Sequence, residues 1–196
     1  MMRVGELLVP VVTAMREELP AGGCIHADGT PVAVQMHDGR GRKGRSGLWQ
    51  YNHPRGNGVF DFRLGRSRDG PRQFLAGFEG ILQTDGCAAY QGQVGQRSWR
   101  RPAGRTWAGT FSRPRGWIGR IRRRRGVALG RKNRTHLGSA EAGPKVAAIL
   151  SLVETCNRLG LEVRAYLGDV LPRLAVTSIQ RVRELIPARW PASRAG

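Results

Sequence analysis

Two aspartates of the chain have the residue type and the setting that phosphodiester chemistry requires. Asp28 and Asp85 lie 57 residues apart, and each ends a short apolar run and precedes a glycine. Mg²⁺ prefers carboxylate oxygens, and two such ions can activate an attacking oxygen and stabilise a leaving one. Asp-Gly is also a common turn sequence. Both interpretations of the pair, as metal ligands and as turn formers, are therefore open from spacing alone.

A third carboxylate, which the second metal ion normally needs, is missing further along the chain. Residues 86–140 contain no Asp or Glu and 14 of the 33 Lys and Arg residues, so most of the net charge of +19 lies there. A charge of this size attracts nucleic acid, although a solvated or disordered run is the commoner case. The candidate nucleic-acid-binding residues are Arg122, Arg123, Arg124, Arg125, Arg131 and Lys132.

Other composition features narrow the class of protein. The three cysteines, Cys24, Cys87 and Cys156, are far apart, so their spacing suggests neither a zinc knuckle nor a disulfide framework. The first residues make a poor signal peptide, and no apolar run reaches the roughly 18 residues of a membrane span. We therefore expect no membrane partner and a cytoplasmic, nucleoid-associated location.

The elements that would position the aspartates follow from hydrophobic periodicity. An amphipathic helix is predicted over 4–18, and Phe74, Leu75 and Phe78 predict a second helix that crosses over the sheet. Glycine-rich loops predict that the first three strands form an antiparallel meander, and the crossover makes the fourth strand parallel to a partner. The predicted strands are Cys24–Met36, Gly47–Asn52, Val59–Arg63 and Gly80–Thr84. This order begins a ribonuclease-H-like sheet of the α/β class, in which Asp28 and Asp85 approach each other.

The remainder of the chain divides into an aperiodic segment and a helical one. Residues 91–126 follow no period, so we predict that this basic segment is disordered. Apolar stripes then predict a helix after Pro144, a second one around Tyr166 that Pro172 bends or ends, and a short third one over Ile179–Ile186. The expected organisation is a partial catalytic core over 1–90, the basic segment over 91–126, and a small helical appendage within 127–196.

Several ordered motifs resemble one family of proteins. The runs His26–Val32, Gly47–Tyr51 and Phe74–Tyr90 resemble the catalytic core of insertion-sequence-66 family transposases. The tail is similar to the C-terminal region of that family at Gly130–Asn133, 147–156, 165–171 and 184–187. The resemblance covers roughly 1–90 and 127–190.

The resemblance implies a ribonuclease-H-like fold, an Asp-Asp-Glu triad that binds Mg²⁺, and the DNA of insertion-sequence ends as partner. Asp28 and Asp85 correspond to the first two members of the triad. The family's glutamate lies on a helix shortly before the Gly130–Asn133 motif, where this chain has an arginine-rich run without an acidic residue. The family differs from this chain in three further ways. It usually has glutamate at the position of Gly29, and its interval between the second aspartate and the Gly-Arg-Lys-Asn motif is longer than that between Asp85 and Gly130. Full transposases of the family also have DNA-recognition regions before the catalytic core. Whether the protein forms a homo-oligomer is left open.

We therefore expect a transposase for DNA cleavage and strand transfer that has become an inactive remnant, with residues 91–126 frameshifted or deleted. The alternatives are a non-catalytic basic DNA-binding protein and a translated pseudogene product without a stable fold. His26, Trp49, Tyr90 and the cysteines Cys87 and Cys156 are interpreted as structural residues, because none belongs to a ligand motif.

Overall fold

The alternating strands and helices build one mixed β-sheet with helices packed against it. The computed structural model describes residues 2–35, 43–54, 56–65, 67–84, 88–90, 98–100, 136–137 and 139–193. The strands are β1 (Cys24–Gln35), β2 (Lys43–Asn52), β3 (Gly58–Leu64), β4 (Ile81–Thr84), β5 (Ser98–Arg100) and β6 (His136–Leu137). The α-helices are α1 (Met2–Glu18), α2 (Asp69–Phe74), α3 (Ala142–Leu159), α4 (Val163–Leu174) and α5 (Trp190–Ser193). Short 3₁₀ helices span Leu19–Gly22, Ala88–Tyr90 and Ile179–Leu185.

The sheet has the pairing that the sequence predicted for its first four strands. The strand order is β3-β2-β1-β4-β5, and β6 pairs with β1 beyond the end of β4. β1, β2 and β3 form an antiparallel meander, whereas β4 runs parallel to β1 and β5 runs parallel to β4. The α/β class and the crossover between β3 and β4 are thus confirmed.

One face of the sheet is apolar and covered by α1 and α2. Side chains alternate between the two faces of a strand, and register partners on neighbouring strands point the same way. Ile25 and Ala27 of β1 therefore share a face with their β2 and β4 partners, and this face is buried. Phe74 of α2 stacks on Tyr51 with ring centroids 3.6 Å apart, and the Arg16 guanidinium of α1 lies 4.4 Å from the Phe74 centroid. These contacts hold both helices on the covered face.

The outer edge of the sheet is closed by side chains of α3. Because β3 is an edge strand, alternate N–H groups along it have no partner strand. The Ser151 hydroxyl accepts from the Phe60 N–H at 2.8 Å, and the Thr155 hydroxyl accepts from the Gly58 N–H at 2.9 Å. Thr155 also donates to the Gly58 carbonyl at 3.1 Å. Two buried hydroxyls thus form the hydrogen bonds that a neighbouring strand would otherwise form with β3.

We expect Ser151→Ala and Thr155→Val to lower the free energy of unfolding by about 1–3 kcal/mol each, because each leaves a buried N–H without an acceptor. Urea denaturation followed by circular dichroism measures the loss. The control is Thr13→Val, which removes an exposed hydroxyl that donates to the Val9 carbonyl, with an expected change under about 0.5 kcal/mol. A loss at the two buried sites no larger than the control's would contradict the edge-closing role.

The C-terminal helices share the core of the sheet. Leu152 and Cys156 of α3 and Tyr166 of α4 are fully buried in the same apolar cluster as Ile25 of β1. Ion pairs also tie the last third of the chain to α1, with N–O distances of 2.6–2.7 Å. Periodicity located the helices, but their docking surface was visible only in three dimensions.

Two further differences concern the less regular parts of the sequence. Ser98–Arg100 form β5, although no regular structure was expected within 91–126; the other residues of 91–126 lie outside the described residues. The third C-terminal helix is a 3₁₀ helix, and Pro172 is accommodated in the last turn of α4. Within the residues that the structure describes, no helix is long and apolar enough to cross a membrane.

Candidate functional site

Asp28 lies inside β1 and not at a turn. It is the fifth residue of a twelve-residue strand and is paired in register with Gln50 of β2. Its side chain is half-buried, and its Oδ1 accepts a hydrogen bond from the Gly29 N–H at 2.9 Å. The turn-former interpretation is therefore wrong for this aspartate. Because β4 ends opposite Ala27, Asp28 is the first residue of β1 beyond that strand.

The face of the sheet that carries Asp28 is polar around it. By strand alternation and register, five half-buried side chains share this face, which we call the polar face: His26, Asp28, Gln50, Asn52 and Gln83. The Gln50 amide donates to the Asn52 Oδ1 at 3.2 Å, which orders the amide pair. Asp28 therefore has polar side chains beside it on β1 and β2, whereas the buried Phe60, the β3 partner of Gln50, belongs to a second apolar cluster on this face.

The second predicted aspartate, Asp85, lies outside the described residues, but the residue before it does not. Thr84 is the last residue of β4 and is the register partner of Ala27, which immediately precedes Asp28. Thr84 is buried on the covered face. The chain positions that directly precede the two aspartates are therefore neighbours on adjacent parallel strands.

The described residues do not supply a complete metal site. They contain no group of three or more His, Cys, Asp or Glu side chains that could hold a metal ion. Asp28 contributes one hard oxygen donor, which suits Mg²⁺. The predicted nucleic-acid-binding residues Arg122, Arg123, Arg124, Arg125, Arg131 and Lys132 lie outside the described residues, so their role stays a prediction.

Gly29 is required by its neighbour on β2. The Trp49 ring lies against its Cα, and a Cβ added to Gly29 would overlap the ring. Trp49 is 1% exposed and meets Tyr90 edge-on, with centroids 5.6 Å apart. A larger residue beside Asp28, such as the glutamate common in the resembled family, does not fit this arrangement. The prediction that Trp49 and Tyr90 are packing residues is confirmed.

A cluster of nitrogen-bearing side chains at the end of the polar face was missed by sequence reasoning. The Arg158 Nη2 of α3 donates to the His53 carbonyl at 2.6 Å, and the His53 Nε2 lies 3.3 Å from the Gly22 carbonyl oxygen. Burial, and then the positive charges of Arg158 and His53, lower the pKa of His26. The cluster joins residues up to 132 positions apart, so no local spacing motif indicates it.

The described cysteines are not reactive ligands. Burial raises the pKa of the Cys156 thiol to about 11, so this side chain stays protonated at neutral pH. It is fully buried, as predicted for a small apolar side chain. Burial also raises the pKa of Cys24, which lies at the start of β1. Cys87 lies outside the described residues.

Comparison with known proteins identifies the family. Residues 1–103 match the sequence model of the family described as "Transposase IS66 family". The match extends 13 residues beyond residue 90, the end of the first region for which we predicted a resemblance. It does not include residues 127–190, so the resemblance predicted for that second region stays a prediction. No solved structure matches the chain.

Two relatives come from Sinorhizobium fredii. The chain is 38% identical over 71 residues to "Uncharacterized protein y4hP" and 36% identical over 72 residues to "Uncharacterized protein y4jD". Each match covers 36% of this chain but only 13% and 14% of the respective relative, so the chain spans a small part of their length. With the family match extending over more than half of its residues, the chain belongs to the IS66 family of transposases.

Proposed function

We propose that this chain carries the first part of a ribonuclease-H-like transposase core, in which Asp28 and Asp85 bind a divalent cation. The observation that carries the proposal is the register of β1 and β4. Ala27 and Thr84 are paired, and the residue that follows each of them in the sequence is one of the two aspartates. The strand order, with an antiparallel meander and a parallel fourth strand, supports the ribonuclease-H-like assignment.

The polar face suits this role. Asp28 is half-buried, which holds its carboxylate in place while leaving an approach for a ligand. When bound, Mg²⁺ would neutralise charge on a phosphodiester and activate the attacking oxygen. Gln83, the register partner of His26, belongs to the polar face, and Asp85 follows it by two residues in the sequence. The proposed partner is therefore the DNA of an insertion-sequence end.

We further propose that the chain as it stands is an inactive remnant. A two-metal site normally needs a third acid, and residues 86–140 contain none. Two carboxylates can hold a cation weakly, but they leave the second cation without a protein ligand. The frameshift hypothesis for the basic segment is tested by translating its DNA in the other two frames. Absence of transposase-like residues in both frames would refute it.

The test of the proposed site is Mn²⁺ binding, followed by electron paramagnetic resonance. We expect one weak site in the wild-type protein and at least about tenfold weaker binding for Asp28→Asn and for Asp85→Asn, because each removes a charged ligand. Asp69→Asn is the matched control, since Asp69 is exposed in the first turn of α2. Equal binding by all four proteins would refute the site.

A nicking assay on supercoiled plasmid distinguishes an inactive remnant from an active transposase site. The proposal predicts no Mg²⁺-dependent nicking by the wild-type protein. Nicking that Asp28→Asn abolishes would retain the transposase site and refute the inactive state. The second candidate function, a non-catalytic basic DNA-binding protein, is favoured by the charge of +19. It predicts salt-sensitive DNA binding that neither EDTA nor Asp28→Asn changes, together with no metal binding at Asp28.

A further inference from the structure

The end of the polar face next to Asp28 is built from residues of three separate elements. His26 lies two residues before Asp28 on β1, a distance of about 6.6 Å along a strand. His53 follows β2 directly, and Arg158 lies in the last turn of α3. Together the two imidazoles and the guanidinium bring nitrogen donors to one end of the face, beside the proposed metal site.

The guanidinium of Arg158 is held in place by its surroundings. Its Nη2 donates to the His53 carbonyl at 2.6 Å, and its Cδ lies over Gly58 at the start of β3, 3.7 Å from where a Cβ would stand. Thr155, one turn earlier on the same helix, bonds both backbone groups of Gly58. An anchored guanidinium loses less conformational entropy on binding a ligand than a mobile one.

Arg158 is also incompletely satisfied by the protein. Its Nε is buried and has no hydrogen-bond partner among the described residues. An unpaired buried donor is costly, and it is more costly on a charged group. Burial lowers the pKa of Arg158 and the Glu154 carboxylate one turn away raises it, but the guanidinium keeps its charge. The site therefore has a positive charge, with a buried Nε that donates to no described group.

The electrostatic environment of the cluster favours an anion. The Cδ of Arg158 and the Oδ1 of Asn52 both lie against Gly58, and Asn52 is the register partner of His26, so the guanidinium stem lies at the strand end that carries His26. The nearest acid along α3 is Glu154, one turn before Arg158. An anion that entered the cluster would meet the positive charge of Arg158.

We propose that Arg158, with His26 and His53, binds a backbone phosphate of DNA next to the position of Asp28. The guanidinium provides the charge and a planar pair of donors, the His26 imidazole provides a further donor on the strand side, and His53 provides the carbonyl that holds Arg158. This inference deepens the proposed function, because it assumes that the polar face is turned toward DNA. It assigns the phosphate to a site separate from the two aspartates.

The first experiment uses inorganic phosphate with the metal-free wild-type protein and follows the Arg158 Nε–Hε signal and the His26 and His53 ring signals by NMR. We expect these signals to shift together and to saturate. Asp28→Asn should retain the response, so that failure of the metal site and failure of the phosphate site are distinguishable. Absence of any shift of the Arg158 signal at saturating phosphate would overturn the proposal.

The second experiment measures binding of a labelled single-stranded oligonucleotide by fluorescence anisotropy in EDTA. R158Q is expected to bind about tenfold more weakly, and the slope of affinity against salt is expected to fall by about 0.7, the value for one lost phosphate contact. R158K, which keeps the charge and one donor to the His53 carbonyl, should lie between R158Q and the wild type. Phosphate binding without any effect of R158Q on DNA binding would refute DNA as the source of the phosphate.

The matched control is R181Q. Arg181 is exposed and is already paired with Glu184 at 2.9 Å, so we expect its loss to change affinity less than about twofold. Urea denaturation of each variant verifies the fold. If R158Q does not fold, the proposal is tested by the wild-type NMR titration and by the DNA affinity of R158K. It is overturned if folded R158K binds DNA as tightly as the wild type and phosphate does not shift the Arg158 signal.

Discussion

A chain that ends at residue 138 is expected to lose its cooperative fold, although it retains all but the C-terminal helices. Removing α3, α4 and α5 exposes the covered apolar cluster and leaves the Gly58 and Phe60 N–H groups of β3 without acceptors. A domain of this size is stabilised by only about 5–15 kcal/mol, and the lost burial of several large side chains exceeds that range.

Circular dichroism and urea denaturation measure the effect of this truncation. The full chain should show one cooperative transition, whereas residues 1–138 should show none. Adding residues 139–196 as a separate fragment should restore the transition, which controls for expression or aggregation artefacts. A cooperative transition of 1–138 alone, with a stability near that of the full chain, would show that the C-terminal helices are an appendage and not part of the core.

The second large effect is expected at Trp49. Its side chain is 1% exposed, fills the space over Gly29 and contacts Tyr90 edge-on. Trp49→Ala should lower the free energy of unfolding by about 3–5 kcal/mol, because the cavity between β1, β2 and the segment after β4 cannot close. Trp49→Phe should lower the free energy of unfolding by about half as much, because the phenyl ring fills part of the space of the indole.

Urea denaturation again measures this change, with Leu64→Ala as the control. Leu64 ends β3 and is 61% exposed, so its truncation should cost under about 0.5 kcal/mol. Trp49 also packs directly behind Asp28, because Gly29 is its register partner. Trp49→Phe should therefore weaken Mn²⁺ binding while leaving the protein folded. A loss of stability at Trp49 no greater than at Leu64 would contradict the packing role.

The parts of the site that depend on local pattern could be read from the sequence. Alternation and turn chemistry predicted all four principal strands, and the helix between the third and fourth predicted the parallel pairing of β1 and β4. That pairing depends only on element order, because a strand that follows a crossover returns in the same direction. Asp28 was therefore correctly placed within the first strand, which was predicted as Cys24–Met36 and spans Cys24–Gln35.

The parts that depend on long-range packing could not be read in this way. The hydroxyls of Ser151 and Thr155 bond β3 groups 91 and 97 residues away, and their helix was predicted only as an amphipathic stripe. Arg158 reaches the His53 carbonyl across 105 residues. Periodicity identifies a buried face, but it does not identify the element that the face covers.

The sequence by itself determined the class, the order of the elements and the absence of an acid between Gly86 and Ala140, because these are properties of local pattern and composition. Family membership also rests on the sequence. Tertiary structure alone decided that the C-terminal helices complete the core, that α3 closes the β3 edge, and that Arg158 lies at the end of the polar face. These features arise from contacts between residues that are far apart in the sequence. The energies of such contacts depend on shape and register, and they produce no periodic pattern in the sequence.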